Sequence, residues 1–306
     1  MSIAVTCNLP DGVILGADSA VTLHGAQTVA GQTIPAVIKV YNEAEKLFEL
    51  GKLPIAAVTY GIGMLGERTI ESYIAEFEVK NDLYTENPGI AEQTVQEVTQ
   101  QLETFFRQHY EGTVGKTLEK ERGKPFAQIP QAAKPRLGLV VCGYSPAEWL
   151  SEVWQFEVPA TGPDCPVGPV RTQGEFGSNW FGQFAPLTRL IKGFDPQALR
   201  QVMDFLNRER GLSPDQETQH SIRGILDTHE SRIPYQAMPL QEGIDHVRFL
   251  LDVVIGYYRF AVGAPVCGGA TRIAVVSRRR GFRRLAGGEL APAPPLSTAP
   301  GQHTGA

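Results

Sequence analysis

The sequence predicts an α+β protein, a four-layer α-β-β-α sandwich in which two antiparallel sheets lie between outer helix layers. Three observations carry this expectation. Strand-like and helix-like segments come in blocks rather than in strict alternation, which disfavours a repeating βαβ array. The apolar runs Ile3 to Leu9 and Val13 to Ala17 are separated by Pro10-Asp11-Gly12, a hairpin signal because proline presets φ and glycine accepts positive φ. Beyond Gly66, Ile70, Tyr73, Ile74 and Phe77 recur at helical spacing, the mark of an amphipathic helix following the strand block.

The elements follow in order. After the first hairpin, the polar, Gly-rich stretch His24 to Pro35 reads as a loop or hairpin excursion. Lys46 to Leu50 and Pro54 to Tyr60 read as strands joined by Gly51-Lys52. The helix beyond Gly66 is followed, after Pro88-Gly89, by a second one supported by Ile90, Val95, Val98, Leu102 and Phe105-Phe106. Gly112 to Lys134 shows no periodicity and is expected to be a long loop. Arg136 to Gly143 and Leu150 to Val158 form another strand pair, helices return over Gln183 to Arg210 and Pro239 to Arg259, and Thr271 to Ser277 is the closing strand. The expected organisation is one domain over 1–286, with loop insertions near 25–36 and 112–134, and a Pro/Ala/Gly-rich disordered tail over 287–306.

Composition bounds the function. The 306 residues are 42% hydrophobic and 20% charged, enough to bury a sizeable core. A net charge of −5 offers no general attraction to nucleic acid or to an anionic membrane. The run Arg278-Arg279-Arg280-Gly281-Phe282-Arg283-Arg284 is the local exception, readable as a solvated strand–turn or as a basic patch. Cys7, Cys142, Cys165 and Cys267 are scattered, and the six histidines form no H-E-x-x-H cluster, so neither a disulfide framework nor a metal site is expected. No cofactor is expected either. The N-terminus has no basic region followed by an apolar stretch, and no apolar run reaches membrane-spanning length. A cytoplasmic protein is the expectation.

Two glycine motifs suggest nucleotide binding. Gly112-Thr113-Val114-Gly115-Lys116-Thr117 ends like a P-loop, but Tyr110 stands where the first glycine belongs, and the segment follows a helix. Gly61-Ile62-Gly63-Met64-Leu65-Gly66 spells the dinucleotide fingerprint after an apolar strand, yet no second strand follows its helix to carry the ribose-binding acid. The same glycines suit another purpose, because they let backbone N–H groups approach and stabilise an oxyanion.

The first 66 residues carry a more specific pattern: Ser2-Ile3-Ala4-Val5, then Asp11 to Ser19, then Glu45-Lys46-Leu47-Phe48, then Ile55 to Gly61. This resembles the start of proteasome β subunits and of the peptidase of the bacterial two-component heat-shock protease. Gly177-Ser178 and Val266 to Val276 are similar, more loosely, to the family's Gly-Ser element and closing strand. The resemblance implies an N-terminal nucleophile (Ntn) hydrolase fold. It also implies a threonine-type endopeptidase chemistry run by a serine, Ser2, freed by removal of Met1. Asp18 and Lys46 would be its catalytic partners, Tyr60 and Gly61 its oxyanion hole, and Gly177 and Ser178 a supporting element. It further implies a peptide or unfolded-protein substrate, a homo-oligomeric ring and an ATP-dependent unfoldase partner.

The chemistry suits these residues. A serine hydroxyl needs a base, and an N-terminal serine carries its own, since a free α-amine titrates at about 7.7–8.0. An ammonium from Lys46 would keep that amine neutral, and Asp18 would orient Lys46. The sequence also departs from the family. Serine replaces the usual threonine, Ala20 stands where arginine follows Asp-Ser, and Tyr258 to Gly263 lacks the acid that active relatives place there. Three alternatives therefore stay open: a catalytically silent ring-forming subunit, a small-molecule amidase, and a dinucleotide-binding oxidoreductase.

Overall fold

A computed structural model describes residues 2–29, 32–84, 92–160, 167–211, 215–262 and 266–285. The protein is mixed α+β and its sheets are antiparallel throughout. The opening hairpin consists of β1 (Ile3–Leu9) and β2 (Gly12–Asp18). Its register pairs Leu9 with Gly12, so Pro10 and Asp11 make the turn. Next come the hairpin β3 (Val21–Val29) with β4 (Gln32–Tyr41), then β5 (Leu47–Glu49) and β6 (Ile55–Gly61). A small hairpin, β7 (Met64–Leu65) with β8 (Arg68–Thr69), leads into α1 (Ile70–Lys80), whose first turn is capped by Thr69.

The helix α2 (Val95–Tyr110) starts with a capping box, in which Thr94 and Glu97 satisfy each other's backbone N–H. Ile90, one residue expected to support it, lies outside the described residues. The expected long loop over 112–134 is not one. A π-helical turn, Glu111–Gly115, carries the chain directly into α3 (Lys116–Arg122), and short 3-10 turns follow at Phe126–Gln128 and Gln131–Ala133. Gly112 and Gly115 both lie in the π-helical turn, and Gly115 adopts ordinary helical dihedrals. Glycine weakens a helix by only about 1 kcal/mol, which packing of the flanking turns can offset.

Strands β9 (Leu137–Gly143) and β10 (Glu152–Val158) form the expected pair. Two strands went unread, β11 (Val167–Arg171) and β12 (Gly177–Gly182), because both are short and contain glycine. The helix expected over Gln183 to Arg210 is broken into α4 (Ala185–Lys192) and α5 (Pro196–Arg210). Gly193 ends the first at φ +77°, and Asp195 caps the second. Helix α6 (Gln216–Asp227) was also unread. Last come α7 (Leu240–Phe260), β13 (Thr271–Ser277) and β14 (Gly281–Arg284), so the arginine run forms a tight turn and an edge strand. The tail over 287–306 lies outside the described residues.

One sheet has the order β12-β1-β2-β13-β14, the other β11-β10-β9-β6-β5. Strand β1 is buried at every residue, because both its faces are covered. Ile3, Val5, Cys7 and Leu9 pack with Val247, Leu250, Leu251 and Val254 of α7. Ala4, on the other face, belongs to a cluster containing Leu15 of its own sheet and Val58 and Val140 of the second sheet. A third cluster joins Ile55, Leu139 and Phe156 to Ile74 and Phe77 of α1 and to Val98, Leu102 and Phe106 of α2. Gly16 permits the close approach of α7, since a Cβ there would sit 2.6 Å from Val247 and 2.7 Å from Leu251. No helix among the described residues is long and apolar enough to cross a membrane.

Candidate functional site

The hairpin β1–β2 brings the start of β1 beside the end of β2. Ser2 sits directly before β1, and Asp18 ends β2 two strand-widths from β12. Asp18 is fully buried and is used as a junction. Its Oδ1 accepts from the Ile3 N–H at 3.1 Å and from Lys46 Nζ at 2.7 Å, and its Oδ2 accepts from the Gly268 N–H at 3.1 Å. Lys46 precedes β5 and donates a second bond from Nζ to the Ala20 carbonyl at 2.7 Å. Ala20 thus contributes through its backbone.

The ion pair is almost wholly enclosed. Burial pushes the Lys46 pKa down and outweighs the Asp18 carboxylate and its hydrogen bond, which pull it up. Cys267, buried beside the pair, has its thiol pushed up to about 12, chiefly by desolvation and further by Asp18. It is protonated at neutral pH and is no competing nucleophile.

Ser2, Lys46, Thr59 and Tyr60 line one cavity of about 630 Å³. Its apolar wall includes Val21, Leu23, Ile62 and Met64. The Ser2 backbone is fixed from the opposite strand: Gly182 pairs with Ile3, and the Gln183 N–H donates to the Ser2 carbonyl at 2.9 Å. Gln183 is itself held by the Tyr258 hydroxyl at 3.0 Å, so the end of α7 reaches Ser2 through an amide rather than an acid.

The two expected oxyanion donors separate. Ile62 N–H bonds the Arg136 carbonyl at 2.9 Å, and β6 pairs with β9 so that Tyr60 faces Gly138. Alternation along an antiparallel ladder then commits the Tyr60 N–H to Gly138. The Gly61 N–H points to the other edge, where the Thr59 N–H bonds Lys46 O at 3.0 Å and where β5 has already ended. That edge borders the cavity. Gly61 has φ +93°, and a Cβ there would meet the Arg136 carbonyl at 2.1 Å, so glycine is required on both counts. The Tyr60 ring instead stacks on Phe181 at 5.6 Å and its hydroxyl donates to Glu157 at 3.0 Å.

Gly177 and Ser178 do not join the site. They lie in β12 opposite Asn8 and Cys7, at the far end of β1 from Ser2. The part of that strand beside Ser2 is Gly182, with Gln183 following. Sequence reading also missed Tyr258, Cys267 and Gly268. A Gly-Gly pair one residue ahead of a strand, as at Gly268-Gly269, was the available signal for a close backbone approach, and Gly269 does sit at φ +74°. The glycine run over Gly61 to Gly66 does not open a helix, because β7 and β8 intervene and β6 is flanked by antiparallel neighbours. It lacks the parallel strand–helix unit a dinucleotide fingerprint needs. Among the described residues, no group of three or more histidine, cysteine or acidic side chains could hold a metal. Compared with protein-family models and with curated proteins, the chain matches none.

Proposed function

We propose that this protein is an N-terminal serine hydrolase of the proteasome-like kind, cleaving peptide or other amide bonds through an acyl-enzyme at Ser2. The observation that carries the reading is the enclosed Lys46–Asp18 pair opening on the same cavity as Ser2. An ion pair is expensive to bury, and nothing in core packing requires one at the mouth of a cavity. The four-layer α-β-β-α arrangement belongs to the same proposal. It is supported by the three clusters that join helices to each sheet and the sheets to each other.

In the proposed reaction, removal of Met1 frees the Ser2 amine. That amine takes the proton from Ser2 Oγ as the oxygen attacks the substrate carbonyl. The developing oxyanion is received by the Gly61 N–H. The Lys46 ammonium, held by Asp18, disfavours protonation of the amine and so keeps it basic in the useful range. The amine then returns the proton to the leaving nitrogen, and water hydrolyses the ester by the same route in reverse. A homo-oligomeric ring and an ATP-dependent unfoldase partner rest on the resemblance alone.

The test begins with the mass and N-terminal sequence of the purified protein, since retained Met1 blocks the amine. Electrophiles that trap N-terminal nucleophiles should then modify Ser2, and Ser2→Ala should abolish both labelling and turnover. A processed protein that resists labelling and hydrolyses no peptide or amide would be a silent subunit. The absence of an acid from Tyr258 to Val262 makes that the second reading.

A further inference from the structure

We infer that Arg284, from the arginine run, is a positioning residue for Lys46, acting through Glu45; the inference rests on the hydrolase reading above. The segment Asn42 to Lys46 carries the lysine and borders the cavity, yet has no regular secondary structure of its own. Its conformation must be imposed from outside. At its start, the Ala44 N–H donates to the Ser19 carbonyl at 2.9 Å and the Ser19 hydroxyl donates to the Asn42 carbonyl at 2.5 Å. At its end, Glu45 turns its carboxylate back over the chain. Oε1 accepts from the N–H groups of Lys46 at 3.0 Å and Leu47 at 2.9 Å. These bonds set the direction in which the chain enters β5, and with it the origin of the Lys46 side chain.

A glutamate at this exposure would ordinarily swing into water. What keeps it folded back is Arg284, whose Nη1 donates to Glu45 Oε2 while Nη2 donates to the Leu47 carbonyl at 2.8 Å. One planar guanidinium therefore spans two acceptors on the lysine-bearing segment, a fork that a lysine ammonium cannot reproduce. Alternation along β14 explains the arrangement. Phe282 and Arg284 share the face turned to the second sheet, where Phe282 packs against the cluster between the sheets. The edge strand β14 thus delivers a cation across from one sheet to the first residues of another. The remaining arginines of the run have different surroundings: Arg278 donates to the Ser145 carbonyl, and Arg279 is exposed.

The Lys46 ammonium acts by its distance from the Ser2 amine, so a displacement of its backbone should weaken the chemical step more than substrate binding. The experiment compares the processed full-length chain with Arg284→Ala, Arg284→Lys, Glu45→Gln and, as a control in the same run, Arg279→Ala. Turnover of a peptide substrate, thermal midpoint and amide hydrogen exchange at Lys46 and Leu47 are measured for each. Arg284→Ala is expected to lower kcat about 10-fold with KM within about twofold. Exchange at both amides should accelerate about 10-fold. Arg284→Lys should recover only part of kcat, Glu45→Gln should resemble Arg284→Ala, and Arg279→Ala should match the parent. A kcat within twofold, a change confined to KM, or a loss of kcat that merely tracks the thermal midpoint across all variants would overturn the inference. Exchange at Lys46 that is indifferent to Arg284 overturns it whatever the activity. Absence of Ser2-dependent turnover in the parent protein would instead bring down the hydrolase reading.

Discussion

The two ends of β1 are the same strand in the same sheet, and they bury polar groups in opposite ways. At the Asn8 end the groups are neutral and close on one another. Asn8 Nδ2 donates to the carbonyls of Ser151 at 3.3 Å and Glu175 at 2.8 Å, and the Ser151 hydroxyl donates to Asn8 Oδ1. At the Ser2 end the groups are charged, and one of them, Lys46, borders a cavity. A buried neutral network fixes a fold and leaves nothing to react. A buried charged pair beside empty space keeps an electrostatic influence over whatever enters that space.

This contrast can be broken most directly at Asp18. Asp18→Ala removes the acceptor for two backbone N–H groups and leaves the Lys46 ammonium enclosed beside the Ala20 carbonyl alone. A loss of about 3–5 kcal/mol is expected, read by urea unfolding, together with loss of Ser2 labelling. Gly61→Ala comes next. The positive φ alone costs about 1–3 kcal/mol, and relieving the clash with Arg136 should tilt the N–H proposed to receive the oxyanion, so turnover should fall with stability.

Asn8→Ala supplies the comparison. It removes neutral hydrogen bonds and should cost about 1–3 kcal/mol, while Ser2 labelling of the folded protein stays within about twofold. If it silenced Ser2 as thoroughly as Asp18→Ala, the distinction between the two ends would be lost. The smallest effect concerns pH. Because burial lowers the Lys46 pKa in the folded protein, the unfolded chain binds the proton more tightly up to the ordinary value of 10.5. The cost of keeping Lys46 charged in the fold is therefore fully present below the folded value and is relieved as pH rises toward 10.5. The stability of the parent protein relative to Lys46→Met should rise across that window, measured by urea unfolding at a series of pH values.

Much of this was legible in the sequence because it is local. The Pro10-Asp11 turn, the strand around Ile55 and the helix from Ile70 announce themselves through turn chemistry and period. Asp18 and Lys46 were singled out by resemblance, and the structure joins them in a buried ion pair, each at a strand boundary. What stayed hidden depends on register. Nothing in the sequence tells that Gly182 rather than Gly177 faces the start of β1, or that the Gly61 N–H and the Tyr60 N–H leave β6 on opposite edges. Those facts belong to ladders between strands distant in the chain, β1 with β12 and β6 with β9. The helical continuation past Tyr110 was obscured for a different reason, because the segment carries no apolar period from which a helix could be read.

The junction at Asp18 also orders events in time. Its three donors lie 15, 28 and 250 residues along the chain from it. Contacts of short separation close early and cheaply, whereas the longest must await both synthesis of the distant segment and the entropy of bringing it back. A nascent chain would therefore carry its serine and lysine for most of its time on the ribosome without the Gly268 contact that completes the carboxylate's setting. On the hydrolase reading, the chain is harmless to its own neighbours until the last strands of the domain have been made. A chain truncated before β13 should accordingly lack Ser2 reactivity, read by electrophile labelling.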